Sequence, residues 1–253
     1  MPINAAANDK QMKETWETAF NEAIVKQAFN TAPVESLVRN ISYYLRNLYS
    51  DSELHNLHFM EMGSGAGSNL IWLAQKGIKV SGCDIAPTVL ELGRQQLIKA
   101  GLSDRIGSLT ECSVSKTPFP DASFDGIVEA CVFQHLNKED RIKTFNEVKR
   151  LLKPGGLFAG YMLDAGHTTY QFKKKEELKD DPGTLMLSDG KSKLYLTNIG
   201  LCHFYRKEEF TQLLDGFSIV DPCLTTYYLP KEEALKRGYN EYLQSMWAVY
   251  AVK

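Results

Sequence analysis

The chain has 253 residues, 43% hydrophobic and 24% charged, with a formal net charge of −2 at pH 7. That length and apolar share suit one globular domain with a substantial core. The near-neutral balance offers polyanions no general attraction, so a nucleic-acid substrate is not expected, and no apolar run approaches a membrane span.

Residues 1–14 are rich in Asn, Lys and Glu and lack a hydrophobic stretch, so a secretory leader is not expected. Residues 9–30 read as a helix. Pro33 opens a second, in which Val34, Leu37, Val38, Ile41, Leu45 and Leu48 follow helical spacing. The apolar His58-Phe59-Met60 then runs into Glu61-Met62-Gly63-Ser64-Gly65-Ala66-Gly67, and Leu70-Ile71-Trp72-Leu73 follows. This is a strand, a glycine turn and a helix start. Such a turn lets a ligand approach where a β-carbon would collide. Dinucleotide binding needs glycine at the first, third and sixth places, and the sixth place here is Ser68. An NAD(P)-dependent oxidoreductase is therefore the weaker reading of the fold.

A second strand, Ile78 to Cys83, delivers Asp84-Ile85 21 residues after Gly63. A carboxylate there can accept both hydroxyls of a nucleoside ribose; it can also simply cap the helix that Ala86-Pro87-Thr88 begins. Further strands are expected near 106–111, 125–130 and 156–162, alternating with helices, which implies parallel strands covered on both faces.

An acidic residue followed by Gly-x-Gly-x-Gly resembles the first motif of the Rossmann-like S-adenosylmethionine (SAM) dependent methyltransferases. The stretch from Cys112 to Val128, containing Pro118-Phe119-Pro120-Asp121-Ala122-Ser123-Phe124-Asp125, is similar to that family's segment between strands three and four, and Leu151-Leu152-Lys153-Pro154-Gly155-Gly156 to its approach to strand five. The resemblance covers residues 57–162 closely and 205–252 loosely. It implies a seven-stranded, mostly parallel sheet with helices on both faces, strands six and seven near Phe217 to Asp221 and Ser245 to Val252, and strand seven antiparallel. The implied segments are an N-terminal helical cap (1–50), a SAM-binding core (51–163), a lid insertion (164–204) and a C-terminal helix with the last two strands (205–253), all in one domain. In the lid, Thr184 to Leu187 and Lys193 to Leu196 flank Asp189-Gly190 as a hairpin. A second insertion is expected over 223–244, with Tyr227, Tyr228, Tyr239 and Tyr242 and a helix from Lys231.

The resemblance also implies the cofactor, SAM, and its contacts: Glu61, Gly63, Ser64, Gly65 and Gly67 at the turn, Asp84 and Ile85 at the ribose, Cys112, Ser113 and Val114 near adenine, and Glu129. The family usually has an acidic residue near Ser113, so a carboxylate contact to adenine is missing here. Trp16, which counts among the implied cofactor contacts, and Arg39, Tyr43 and Tyr44 on the N-terminal helices either face the sulfonium or the acceptor or, for the aromatic ones, pack against the core. Glu129, Cys131, Phe133, Gln134 and His135 follow strand four, and Asp164 and His167 follow strand five. His135 and His167 are the candidate catalytic bases, although a positioned acceptor needs little acid–base help.

The sequence after strand four, Glu129-Ala130-Cys131-Val132, lacks the Asn/Asp-Pro-Pro-Tyr/Phe of amino-methylating nucleic-acid enzymes, and no Asp near Cys131 partners Asp164 around a metal. The expectation is a SAM-dependent methyltransferase without a metal, acting on an O, N, S or C atom of a small molecule. It is similar to the ubiquinone-biosynthesis and thiopurine branch. The alternative is a noncatalytic SAM-fold partner or regulator. Five cysteines without a Cys-x-x-Cys pair suit a cytoplasmic protein.

Overall fold

A computed structural model describes residues 5–25, 32–187 and 200–253. Its centre is a seven-stranded sheet in the order β3-β2-β1-β4-β5-β9-β8. The strands are β1 (His58–Met62), β2 (Lys79–Asp84), β3 (Ile106–Glu111), β4 (Phe124–Ala130), β5 (Leu152–Leu163), β8 (Ile219–Tyr228) and β9 (Leu243–Val252). Strands β1 to β5 pair in parallel, whereas β9 runs antiparallel to both β5 and β8. The expected sheet and its reversed last strand are both present.

Alternate residues of the central strands enter different cores, as a sheet covered on both faces requires. Phe59, Val128, Leu157 and Ala159 pack with Leu70 and Leu73 of α3 (Ser68–Gln75) and with Leu37 and Ile41 of α2 (Glu35–Leu48). Met60, Met62, Ile127 and Phe158 pack on the opposite face with Phe145 and Val148 of α5 (Lys138–Leu151) and Phe210 of α7 (Lys207–Leu213). Helix α4 (Pro87–Lys99) lies against β2 and β3.

The strand order reverses at β1, which pairs with β2 on one side and β4 on the other. In open α/β sheets a ligand crevice forms there, outside the carboxyl ends of the strands. The N-terminal helix α1 (Ala5–Val25) reaches this edge, where Glu17 Oε1 accepts the backbone N–H of Thr88 at 3.0 Å.

Two expectations change. The segment after Pro222 is a continuation of β8 through Tyr228, paired with β9 along ten residues of each strand, and only then comes α8 (Lys231–Lys236). Since Leu163, the last residue of β5, pairs with Met246, the Tyr227–Gln244 pair projects beyond the sheet. In the lid, β6 (Thr184–Leu187) pairs with β7 (Gly200–His203) after the short helix α6 (Thr168–Lys173). The Asp189-Gly190 turn and the Lys193 to Leu196 arm lie outside the described residues. Among the described residues no helix is long and apolar enough to cross a membrane.

Candidate active site

The glycine turn is held from β2. Gly63 and Ser64 donate their N–H groups to Cys83 O at 2.8 and 2.9 Å, and Gly65 donates to Asp84 Oδ2 at 3.0 Å. Glycines 63, 65 and 67 take φ of +77°, +49° and +83°, the left-handed region that L side chains rarely adopt. A β-carbon on Gly63 would meet Val132 Cγ2 at 2.3 Å, so this position is closed by packing. At Gly65 nothing lies within 4 Å of that point. Gly65 lines a cavity of about 870 Å³, as do Glu61, Asp84 and Ile85.

Glu61 is 2% exposed; its Oε1 accepts from Asn69 Nδ2 at 2.7 Å, while Oε2 is buried without a partner. Burial pushes this carboxyl up to about 8, against the Asn69 hydrogen bond that favours its charged form. Asp84 Oδ1 accepts the N–H of Ala86 at 3.0 Å, so the residue ties the approach to α4 to the glycine turn. Its carboxyl is raised by burial, with backbone hydrogen bonds opposing. Two N–H donors leave lone pairs on this carboxylate for a ligand.

Cys112, Ser113 and Val114 line the same cavity beyond Asp84. Ser113 Oγ lies 3.0 Å from Ser115 Oγ, and a hydrogen bond with Cys112, together with burial, pushes the Cys83 thiol up. From the cap, Met12, Trp16 and Phe20 reach the cavity, and the Trp16 ring stands edge-on to His135 with centroids 5.2 Å apart.

Several candidates are engaged by other protein groups. Glu129 is 0% exposed, does not line the cavity, and accepts the N–H groups of Val132, Phe133 and Tyr161 at 3.0, 3.1 and 3.0 Å. It organises the turn after β4 rather than offering a carboxylate to a cofactor. Tyr44 is buried and donates to Gly155 O at 2.7 Å; Tyr43 packs on Tyr250, and Arg39 pairs with Glu35. Helix α2 thus faces β5 and β9, away from the cleft. Asp164 accepts from Ser245 Oγ at 2.6 Å and Gly166 N at 2.9 Å, and Phe133 is a core residue.

Both histidines line the cavity, yet each has one nitrogen engaged by the backbone. His135 Nδ1 donates to Leu201 O at 3.1 Å, and Gln134, whose Oε1 accepts from Leu163 N, presents its amide to His135 Nε2 at 3.3 Å. His167 Nδ1 accepts from Thr169 N at 3.2 Å, making His167 the N-cap of α6. Burial pushes both rings down to about 4, the Leu201 carbonyl opposing at His135 and the Gln244 side chain at His167. They are neutral at pH 7 and weak as bases.

Sequence reasoning passed over Asn69 and Gln244, for which no motif gave a signal. It also passed over the left-handed φ of +60° at Cys131, in the cavity wall at the end of β4. Strain of this kind in a non-glycine residue gathers at functional sites.

A seven-stranded sheet of this order with a glycine-turn cavity at its switch point defines a Rossmann-like fold. Residues 60–160 match the family model described as a methyltransferase domain. The chain is 29% identical over 143 residues to a sterol 4-C-methyltransferase of Caenorhabditis elegans, covering 56% of this chain and 41% of that one. It is 32% identical over 99 residues to a demethylmenaquinone methyltransferase of Deinococcus radiodurans, covering 38% and 39%. The chain thus spans about two fifths of the length of these curated relatives. In fold it is similar to a Burkholderia thailandensis 1,6-didemethyltoxoflavin-N1-methyltransferase solved with its substrate and S-adenosylhomocysteine, at a TM-score of 0.61 and 14% identity, covering 100% of this chain and 92% of that one.

Proposed function

We propose that this protein is a SAM-dependent methyltransferase acting on a small molecule in the cytoplasm, with residues 1–253 working as one domain. The observation that carries the reading is Glu61 Oε2, a buried and partnerless oxygen beside a glycine whose open face meets the cavity. A buried carboxyl without its full set of partners costs stability, and a ligand ammonium at that point would repay it. SAM has such an ammonium, and it supplies a methyl group already activated by a positive sulfur.

In this reading Glu61 holds the amino group, the open face of Gly65 admits the amino-acid portion, Asp84 accepts from the ribose, and Ser113 with its neighbours borders adenine. Trp16 and His135 form the wall toward the sulfur. The protein's contribution to rate is then alignment and exclusion of water, since neither histidine is basic enough to be a strong proton acceptor. The net charge of −2 supports a small, non-polyanionic acceptor, and five unbridged cysteines support a reducing compartment.

Calorimetry with S-adenosylhomocysteine tests the cofactor assignment, with binding expected at one site; absence of binding removes it. Transfer of labelled methyl from SAM to a broad panel of small acceptors tests the enzyme. Binding without any transfer across the panel supports a noncatalytic SAM-fold protein instead.

A further inference from the structure

The far half of the cavity, beneath the lid and the β8–β9 extension, contains one feature that methyl transfer itself does not require. His167 is 1% exposed, and its Nδ1 accepts the Thr169 N–H. An imidazole that accepts at Nδ1 carries its proton on Nε2 when neutral. That Nε2 is buried with no hydrogen bond of good geometry, the Gln244 side chain lying near the ring, and the residue lines the cavity. A buried N–H left unpaired costs free energy that a ligand acceptor would recover.

The surroundings say what kind of acceptor fits. Leu163, Cys202, Phe204, Leu229 and Met246 make this part of the wall apolar. Gln244 turns its amide nitrogen to Met246 Sδ at 3.7 Å. Glu233 of α8 and Arg237, the residue that ends it, both line this end, four positions apart and opposite in sign. The wall therefore has no net charge with which to attract an ionic ligand.

We propose that His167 determines acceptor specificity by donating its Nε2–H to an uncharged oxygen, carbonyl or hydroxyl, of a mostly apolar methyl acceptor. The inference rests on the methyltransferase reading above. The oxygen is a binding handle, whichever atom receives the methyl group. A protonated amine in the same place would meet a donor head-on, and a carboxylate would lose its hydration for a single neutral hydrogen bond. Burial, which holds the ring neutral, supports the same preference.

The test separates the two jobs of the ring. In His167→Asn the side-chain oxygen can still cap α6, because asparagine is a favoured N-cap, while the Nε2 donor is lost. Protein saturated with S-adenosylhomocysteine is titrated with 4-phenylcyclohexanone and with 4-phenylcyclohexylamine, which have similar shapes. The ketone is expected to bind about tenfold more tightly than the amine. His167→Asn is expected to weaken the ketone about fivefold while leaving the melting temperature and the S-adenosylhomocysteine affinity unchanged. Equal or tighter binding of the amine, no binding of the ketone, or an unaltered ketone affinity in the variant overturns the proposal. Nitrogen NMR that places the ring proton on Nδ1 also overturns it. If S-adenosylhomocysteine fails to bind the unaltered protein, the methyltransferase reading falls first and takes this inference with it.

Discussion

Asp84 Oδ2 accepts the backbone N–H of Gly65 at 3.0 Å, so the carboxylate that ends β2 fixes the glycine turn that follows β1. The two halves of the proposed cofactor site are thereby one hydrogen-bonded unit. Replacing Asp84 by Ala removes both the turn's anchor and a ribose acceptor, and SAM affinity is predicted to fall by about 1–3 kcal/mol. Calorimetry checks this, and an unchanged dissociation constant removes the ribose assignment.

The glycines at 63 and 65 should separate stability from binding. A methyl group at Gly63 would press on Val132 Cγ2 at 2.3 Å, so Gly63→Ala is predicted to cost about 1–3 kcal/mol in urea unfolding. At Gly65 the methyl group enters open cavity, and the folded state loses only about 1 kcal/mol of backbone preference. Cofactor affinity is nevertheless predicted to drop more than tenfold. Equal effects of the two variants on unfolding and binding would refute the distinction.

If Glu61 holds the cofactor's ammonium as proposed, binding is predicted to depend on proton release. Its carboxyl, raised to about 8, is protonated near neutrality, whereas an ammonium ligand prefers it ionised. Affinity is therefore predicted to rise between about pH 6 and 7.5, below the range where a free α-amino group loses its charge. Calorimetry in buffers of different ionisation enthalpy should detect the released proton, and Glu61→Gln should abolish it. The sign for stability is opposite. A carboxyl raised on folding contributes stability that is present below its unfolded value near 4.5 and lost as pH climbs through about 8. Glu129, raised to about 7, acts in the same direction, so Glu61→Gln should shallow the decline in unfolding free energy without eliminating it.

Arg141 is predicted to be the main polar tie between α5 and the lid. Its Nη2 lies 2.6 Å from Asp181 Oδ1, Nη1 donates to Leu136 O at 3.0 Å, and Asp181 Oδ2 accepts from Thr184 Oγ1 at 2.7 Å. Arg141→Met strands a buried carboxylate and is predicted to destabilise by about 3–5 kcal/mol, whereas Arg141→Met with Asp181→Leu should recover much of that loss. Chemical denaturation of both variants decides the matter. A double variant no more stable than the single one speaks against a buried-charge origin.

The readable parts of the sequence were those where local chemistry and long-range packing agree. His58–Met62, the left-handed glycines and Asp84 at a strand end all follow from turn geometry and apolar periodicity, and the structure puts them at one switch point. Orientation was less readable. An acidic residue ending β4 resembles one ending β2, but Glu129 lies in the middle of the sheet and turns to the backbone, where two N–H groups of its own loop and that of Tyr161 on β5 occupy it. Helical spacing identified the apolar stripe of α2 without revealing that the stripe packs on β5 and β9, which carries Tyr43 and Tyr44 away from the cleft. The capping role of His167 left no trace, since histidine is not among the residues that announce a helix start. The continuation of β8 past Pro222 is set by its ten-residue pairing with β9, a partner about twenty residues distant in the chain.

The Glu17 contact to Thr88 bears on how a ligand reaches this chamber. The amide that Glu17 accepts belongs to the first turn of α4, where helices keep spare N–H groups, and the contact is only part-buried. Water can take the place of the carboxylate on this N–H, so loss of the α1 contact would strand no polar atom in the dry interior.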